Sequence, residues 1–167
     1  MRSVLLKRLL ICQLFTLLLT LPLSVSALEN GAVAPDFALP NLDGKIVRLA
    51  DFKGQIVLLK LATTWCPSCQ EQTRELKLAE GDLQGKDVVL VEVFLQESAA
   101  AVNSYLAGRK LSLPAVALLD DDRVRHKYNV YTIPRLLILD RELRVVRDGG
   151  VLSAAELVKL VRQIGPV

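Results

Sequence analysis

The sequence predicts one three-layer α/β domain, in which a central mixed β-sheet lies between two layers of helices. Short apolar runs that suit buried strands alternate with helical segments, and two adjacent strands followed by one helix close the chain. We therefore expect the early strands to be parallel and the last pair to be antiparallel. With 167 residues, the chain is long enough for one such domain and too short for two enzyme-sized ones.

The first 27 residues have the layout of an export segment. Arg2, Lys7 and Arg8 precede an apolar run over 9–23, and small residues at 24–27 offer a cleavage site. We divide the chain into residues 1–27, a signal peptide or N-terminal membrane anchor, and a domain over 28–167. The apolar run is shorter than the roughly 20 residues that span a bilayer comfortably, which favours cleavage over the anchor.

The charge of the domain is balanced. The whole chain has a net charge of +3, but without the three basic residues of 1–27 the remainder has 18 basic and 18 acidic residues. A strongly basic surface for nucleic acid is therefore excluded.

The first half of the domain contains a hairpin, a strand and a helix. Residues 37–49 form a predicted β-hairpin that turns at Asp43-Gly44. The apolar run over 55–61 suits a strand buried on both faces. A helix follows from Pro67, which fits the first helical turn, and continues over 70–84 until Gly85.

The second half continues the alternation. We predict a strand over 87–95, a helix over 98–108, a short apolar segment over 113–119, a short helix over 121–128, and strands over 135–140 and 143–147. Ser153 and Glu156 have capping-box spacing, which indicates the start of a C-terminal helix that Gly165 ends.

Two cysteines remain in the domain, Cys66 and Cys69, directly after a predicted strand. A disulfide between them closes too small a loop to stabilise a domain, so we interpret the pair as reactive. The attacking species in disulfide exchange is a thiolate, and a helix N-terminus favours negative charge at Cys66. Cys69, one turn later, lies on the same face and can resolve a mixed disulfide. This chemistry needs no cofactor besides the redox-active pair.

These motifs resemble a known family. Trp65-Cys66-Pro67-Ser68-Cys69 after a buried strand, with Ile133-Pro134 before a later strand, is similar to the thioredoxin-like fold. The opening GAVAPDF over 31–37 and the extra strand–helix segment resemble the TlpA/ResA/CcmG group of exported bacterial thiol-disulfide oxidoreductases. The resemblance implies a thioredoxin-like three-layer sandwich with an N-terminal hairpin and a central insertion.

The resemblance also implies roles for site residues. Cys66 is then the exposed nucleophile and Cys69 the buried resolving thiol. Pro134 is the cis-proline that faces them, and the backbone of Ile133 docks the partner chain. Trp65 packs beside the disulfide; a tryptophan of the hydrophobic core is the alternative.

Two positions depart from the family pattern. Lys60 stands six residues before Cys66, where thioredoxins carry a buried acid. It acts as a neutral base, as a charge that stabilises a thiolate, or as a lysine that only extends to the surface. Gln72 stands where ResA and CcmG relatives carry an acid, and Glu71 points away from that position. The link to cytochrome c maturation is weaker for that reason.

No metal site is predicted. His126 is the only histidine, and a solvated helix residue is the favoured interpretation over a metal ligand. The run Asp120-Asp121-Asp122 lacks the spacing of a calcium loop and favours helix capping.

The function expected from the sequence is an exported thiol-disulfide oxidoreductase, acting as a reductase in a bacterial periplasm, soluble or anchored to the cytoplasmic membrane. Its partners are protein dithiols and disulfides, with electrons from a membrane donor such as a thiol-reductant transporter. We expect a monomer. The alternatives are a peroxiredoxin-like peroxidase, which the Ala34–Phe37 opening allows, and a copper-handling thioredoxin-like module.

Overall fold

A computed structural model describes residues 27–165 of the chain. The predicted export segment lies outside these residues except for Ala27. The strands are β1 (Ala38–Pro40), β2 (Ile46–Arg48), β3 (Ile56–Ala62), β4 (Val88–Leu95), β5 (Ala115–Asp120), β6 (Arg135–Leu139) and β7 (Val145–Gly149). The helices are α1 (Pro67–Leu83), α2 (Ala99–Ala107), α3 (Arg123–Lys127) and α4 (Ala154–Ile164), with a short 3-10 turn at Leu49–Phe52.

Five strands form the central sheet in the order β5-β4-β3-β6-β7, and β1 and β2 form a separate antiparallel hairpin. Strand β4 is parallel to β3 and to β5, whereas β6 is antiparallel to both β3 and β7. The prediction of a mixed sheet with parallel early strands and an antiparallel last pair is confirmed.

The sheet separates two hydrophobic cores because side chains alternate along each strand. Val57 and Leu59 of β3 face one core, together with the hairpin segment and Tyr128. Ile56 and Leu58 of the same strand face the other core, which α1 and α4 cover. Every residue of β3 is buried, as expected for the middle strand of a sheet covered on both faces.

Several element boundaries differ from the prediction. Strand β7 begins at Val145 and not at 143, because Leu143 has a φ of 61° in a turn closed by hydrogen bonds to Asp140. Helix α3 begins at Arg123, after Asp122 in the left-handed region with a φ of 87°. The carboxylate of Asp120 accepts hydrogen bonds from the backbone N–H groups of Val124 and Arg125 in the first turn of α3. It therefore caps this helix, in agreement with the predicted role of the acidic run.

Within residues 27–165, no helix is both long enough and apolar enough to cross a membrane.

Candidate active site

The two cysteines lie where the carboxyl end of β3 meets the N-terminus of α1. Cys66 is the N-cap residue of α1, and Pro67 occupies the first helical turn, where its missing N–H costs no helical hydrogen bond. The backbone N–H of Cys69 donates to Cys66 Sγ over 3.2 Å. Both thiols are free. The cap thus directs an otherwise unpaired helix N–H at the sulfur of Cys66, an arrangement that favours negative charge there.

The exposure of Cys66 differs from the expectation of an exposed nucleophile. Cys66 is only 5% exposed and Cys69 is 1% exposed. The reason is the segment before β6: Cys66 Sγ lies 3.9 Å from the carbonyl oxygen of Ile133, and Ile133 packs against the small cluster that contains both cysteines. The Ile133–Pro134 peptide bond is cis. Cys66 is therefore the more accessible of two largely covered thiols.

The environment of Cys69 favours the protonated thiol over the thiolate. Burial is the main reason that its pKa rises to about 12, and the neighbouring Cys66 thiol adds to this through a hydrogen bond. The backbone N–H of Thr63 and the positive charge of Lys60 act in the opposite direction and lower the Cys69 pKa. Cys69 therefore needs local stabilisation of its thiolate before it can act as a nucleophile.

Trp65 lies at the surface beside the cysteines. It is 70% exposed, which excludes the alternative of a core tryptophan. The preceding residue, Thr64, holds the loop in place, because its N–H and hydroxyl both donate to the carboxylate of Glu97. Tyr131, two residues before Ile133, is exposed as well. Two aromatic side chains therefore stand at the surface near the ends of the two segments that enclose the cysteines.

Lys60 is buried and does not extend to the surface. Its exposed fraction is 1%, and its ammonium donates to Glu92 Oε1 over 2.9 Å and to Thr73 Oγ1 over 2.6 Å. Lys60 and Glu92 are direct partners in the register of the parallel strands β3 and β4. Thr73 Oγ1 in turn donates to the carbonyl oxygen of Cys69 over 3.0 Å. The network thus extends from Lys60 to the turn of α1 that carries Cys69.

Glu92 and Arg109 complete this network. Arg109 donates through both terminal nitrogens to the carboxylate, with Nη1 2.9 Å from Glu92 Oε1. Burial opposes ionisation of Glu92, but Lys60 and Arg109 outweigh it and lower the Glu92 pKa. Sequence reasoning missed both residues. The signal for Glu92 was a single acidic residue within a valine-rich strand, since such a charge must find a buried partner.

The comparisons with known proteins agree with this geometry. A model of the AhpC/TSA family matches residues 30–148. The chain belongs to the AhpC/TSA family. The thiol-disulfide oxidoreductase ResA of Bacillus subtilis is 30% identical to this chain over 122 residues, which cover 72% of this chain and 67% of ResA. The thioredoxin-like protein YneN of the same organism is 31% identical over 123 residues, covering 72% of this chain and 71% of YneN.

A solved structure supports the fold of this AhpC/TSA member. The thioredoxin domain of a thiol-disulfide oxidoreductase from Bacteroides vulgatus superimposes with a TM-score of 0.70 at 25% identity, covering 81% of this chain and 97% of that domain. The thioredoxin-like fold and the resemblance to the TlpA/ResA/CcmG group are confirmed. The protein is an enzyme of the thiol-disulfide oxidoreductase class.

In this member of the AhpC/TSA family, Gln72 forms hydrogen bonds that connect two segments of the fold. Its side chain is fully buried, with Nε2 donating to the carbonyl oxygen of Leu152 over 3.2 Å and Oε1 accepting from the N–H of Leu152 over 2.7 Å. A neutral amide satisfies both backbone groups, whereas an ionised carboxylate can only accept. The residue joins α1 to the segment before α4.

Arg135 holds the segment that precedes Pro134. It is buried, and its guanidinium donates to Asp148, with Nε 2.8 Å from Oδ1, and to the carbonyl oxygens of Tyr128 and Asn129. Arg135 directly follows Pro134, so this ion pair fixes the chain that covers Cys66.

The remaining candidates lie apart from the cysteines. His126 is exposed and pairs with Asp122 one helical turn away. Among residues 27–165, no three histidine, cysteine or acidic side chains are grouped so as to hold a metal ion.

Proposed function

We propose that this enzyme is an exported reductase of protein disulfides, with Cys66 as nucleophile and Cys69 as resolving thiol. The observation that carries the proposal is the placement of Cys66 Sγ at the N-cap of α1, 3.2 Å from the N–H of Cys69 and beside the backbone of Ile133. This sulfur is stabilised as an anion by the helix and lies next to a chain segment that a partner can contact.

The proposed cycle transfers two electrons from the cysteine pair to a partner. The Cys66 thiolate attacks one sulfur of the partner disulfide, forming a mixed disulfide and releasing the other partner sulfur as a thiolate, which takes up a proton. Cys69 then loses its proton to solvent and attacks Cys66 Sγ. The bond between Cys66 and the partner breaks, the partner leaves as a second thiol, and Cys66 and Cys69 are left as a disulfide.

Trp65, Ile133 and Pro134 form the docking surface in this proposal. Trp65 presents an exposed aromatic ring, and the backbone of Ile133, whose carbonyl oxygen lies 3.9 Å from Cys66 Sγ, would bond to an extended partner chain. Pro67 keeps the helix start rigid beside the nucleophile.

The cellular role that we propose follows from the oxidising chemistry of the bacterial periplasm. The charge and apolar pattern of residues 1–27 favours export to a bacterial periplasm, as a soluble or membrane-anchored protein. Proteins there need a reductase wherever their cysteines must stay free, as in cytochrome c before haem attachment. The cysteine pair is then re-reduced by a membrane protein that carries thiol electrons across the cytoplasmic membrane.

Insulin reduction tests the enzymatic part of the proposal. The pre-reduced domain over 28–167 should reduce insulin disulfides, and Cys66→Ser should abolish this because it removes the attacking sulfur. Cys69→Ala should instead accumulate a mixed disulfide on Cys66, which a nonreducing gel detects. If the domain exchanges with no disulfide, the proposal is wrong. Hydrogen peroxide consumption far above that of a free thiol would support the peroxidase alternative, and tight stoichiometric Cu(I) binding the copper-handling one.

A further inference from the structure

The buried cluster near Cys69 contains two basic side chains and one acidic side chain. Lys60 and Arg109 are both cations, and both donate to the single carboxylate of Glu92, whose Oε1 lies 2.9 Å from Lys60 Nζ and 2.9 Å from Arg109 Nη1. Lys60 and Glu92 are almost completely buried, and Arg109 is largely so. One carboxylate serves two cations, so this cluster carries one positive charge in excess.

The excess charge lies next to the resolving cysteine. Lys60 Nζ and the carbonyl oxygen of Cys69 both bond to the hydroxyl of Thr73, over 2.6 Å and 3.0 Å. The Tyr105 hydroxyl lies 3.1 Å from the same Thr73 oxygen, and its ring faces the Arg109 guanidinium. Lys60 is thus held one hydroxyl away from the turn of α1 that contains Cys69, in an environment where charges are weakly screened.

We propose that Glu92 and Arg109 are positioning residues for the step in which Cys69 resolves the mixed disulfide. Glu92 fixes the Lys60 ammonium beside Cys69, and Arg109 offsets the charge of Glu92, so that Lys60 stabilises the Cys69 thiolate. Without Arg109, Lys60 and Glu92 form a neutral pair that stabilises an added negative charge far less. This inference rests on the proposed function, since it needs Cys69 as the second nucleophile.

Other titratable groups around the cluster do not cancel this charge. Asp43, on the hairpin turn, lines a cavity of 330 Å³ together with Glu92 and Arg109, but Asp43 is exposed and water screens it. Glu97, after β4, accepts its hydrogen bonds from the N–H and hydroxyl of Thr64 and pairs with neither Lys60 nor Arg109. Cys66 itself is bonded to the partner during the resolving step and carries no charge then.

A two-phase release experiment isolates the resolving step. The small aromatic disulfide dithiobis-nitrobenzoate reacts with the reduced domain and releases one coloured thiolate when Cys66 attacks it. A second coloured thiolate is released when the Cys69 thiolate attacks Cys66 Sγ, forming the Cys66–Cys69 disulfide, while the Cys69 proton goes to solvent. Stopped-flow absorbance measures both phases on the same sample.

Arg109→Gln should slow only the second phase. Loss of the excess positive charge lowers the thiolate fraction of Cys69, and a fall of about tenfold, partly offset by the higher nucleophilicity of a more basic thiolate, would slow attack about threefold. Arg109→Lys, which keeps the charge, should restore the second phase to near the wild-type rate. Lys60→Met also removes one positive charge and leaves Glu92 paired with Arg109, so it should slow the second phase as well. Arg162→Gln, which removes an exposed arginine paired with Asp82, should change neither phase.

The inference is overturned if the second phase of Arg109→Gln matches the wild type, or if both phases slow equally, which would indicate only a structural role. If Arg109→Gln does not fold, Lys60→Met decides by the same two criteria. A wild-type domain that releases one thiolate but never the second would instead show that Cys69 does not resolve, which contradicts the proposed function itself.

Discussion

Gln72 is an amide at a position where the family resemblance implies an acid. Its two hydrogen bonds to the backbone of Leu152 use both ends of the amide, and no water is needed to complete them. The position is fully buried, so an ionised side chain there would face a carbonyl oxygen without a counter-charge.

Gln72→Glu should destabilise the domain by about 3 kcal/mol at neutral pH, because the new carboxylate is buried and cannot donate to Leu152. Burial raises the folded-state pKa of the introduced carboxyl above its unfolded value of about 4.3, so the penalty grows as pH rises through that value. Below it, the protonated carboxyl of the variant can donate again, and the difference from the wild type should shrink.

Urea denaturation of both proteins at several pH values measures this difference. Gln163→Glu, at an exposed position of α4, is the matched control and should change the free energy of unfolding by less than about 0.5 kcal/mol. If the difference in free energy of unfolding between Gln72→Glu and the wild type stays constant from acid to neutral pH, ionisation of the buried carboxyl is not the cause of the destabilisation.

Some individual residues were predictable and others were not. Cys66 and Cys69 stand out because a closely spaced thiol pair at a helix start has few structural explanations. Lys60 was recognised as unusual from its place in an apolar run, but its partner Glu92 is 32 positions away in sequence, and Arg109, which also pairs with Glu92, is 49 positions from Lys60. The pairing of β3 and β4 brings Lys60 and Glu92 together, and Arg109 joins them from the segment after α2.

The register of strand β3 against strand β4 is constrained by a buried ion pair. Lys60 and Glu92 are opposite each other in the parallel register, within two strands whose other residues are almost all apolar. Removing one partner would leave a buried charge without compensation, so the pair constrains which registers the two strands can adopt.

Glu92→Gln should cost about 3–5 kcal/mol of stability at neutral pH. The folded-state pKa of Glu92 is lowered from 4.5, against the effect of burial, by Lys60 and Arg109. Its contribution is therefore complete above about pH 4.5 and is lost as pH falls through the lower folded-state value. The stability difference between wild type and Glu92→Gln should accordingly narrow in acid.

The measurement is the free energy of unfolding in urea as a function of pH. Glu71→Gln, in an exposed pair with Arg74, should change stability by less than about 1 kcal/mol at any pH. A Glu92→Gln variant that is as stable as wild type at neutral pH would show that the buried pair contributes nothing net.

The order and type of the elements followed from hydrophobic patterning, whereas several ends did not. The capping box at Ser153 and Glu156 marked the start of α4 correctly because both partners are local. The start of β7 was placed two residues early because Leu143 is apolar like a strand residue but adopts a left-handed turn conformation. Local composition does not reveal such a backbone choice.

The ion pair of Arg135 and Asp148 connects distant parts of the domain. Arg135 begins β6, Asp148 lies in β7, and the N–H of Leu28 donates to Asp148 Oδ2 over 2.7 Å. Through the carbonyl oxygens of Tyr128 and Asn129, the same arginine holds the segment that leads to Pro134. The segment that covers Cys66 is thus tied to both the sheet and the start of the domain.

Arg135→Leu should destabilise the domain by about 3–5 kcal/mol, because the buried side chain of Asp148 would remain without its cation. Urea denaturation at neutral pH measures the change. Arg162→Leu removes an exposed ion pair and should cost at most about 1 kcal/mol. Equal effects of the two substitutions would mean that burial of the Arg135 pair has no energetic consequence.

The sequence by itself determined the three-layer fold, the order of strands and helices, and the place of the cysteine pair between β3 and α1, because hydrophobic periodicity and short-range motifs are local properties. The tertiary structure alone decided that Cys66 is covered by Ile133, that Trp65 is at the surface, and that Lys60 is buried against Glu92, which also pairs with Arg109. These features depend on which distant segments become neighbours in the sheet, and burial then determines how strongly their charges act on each other.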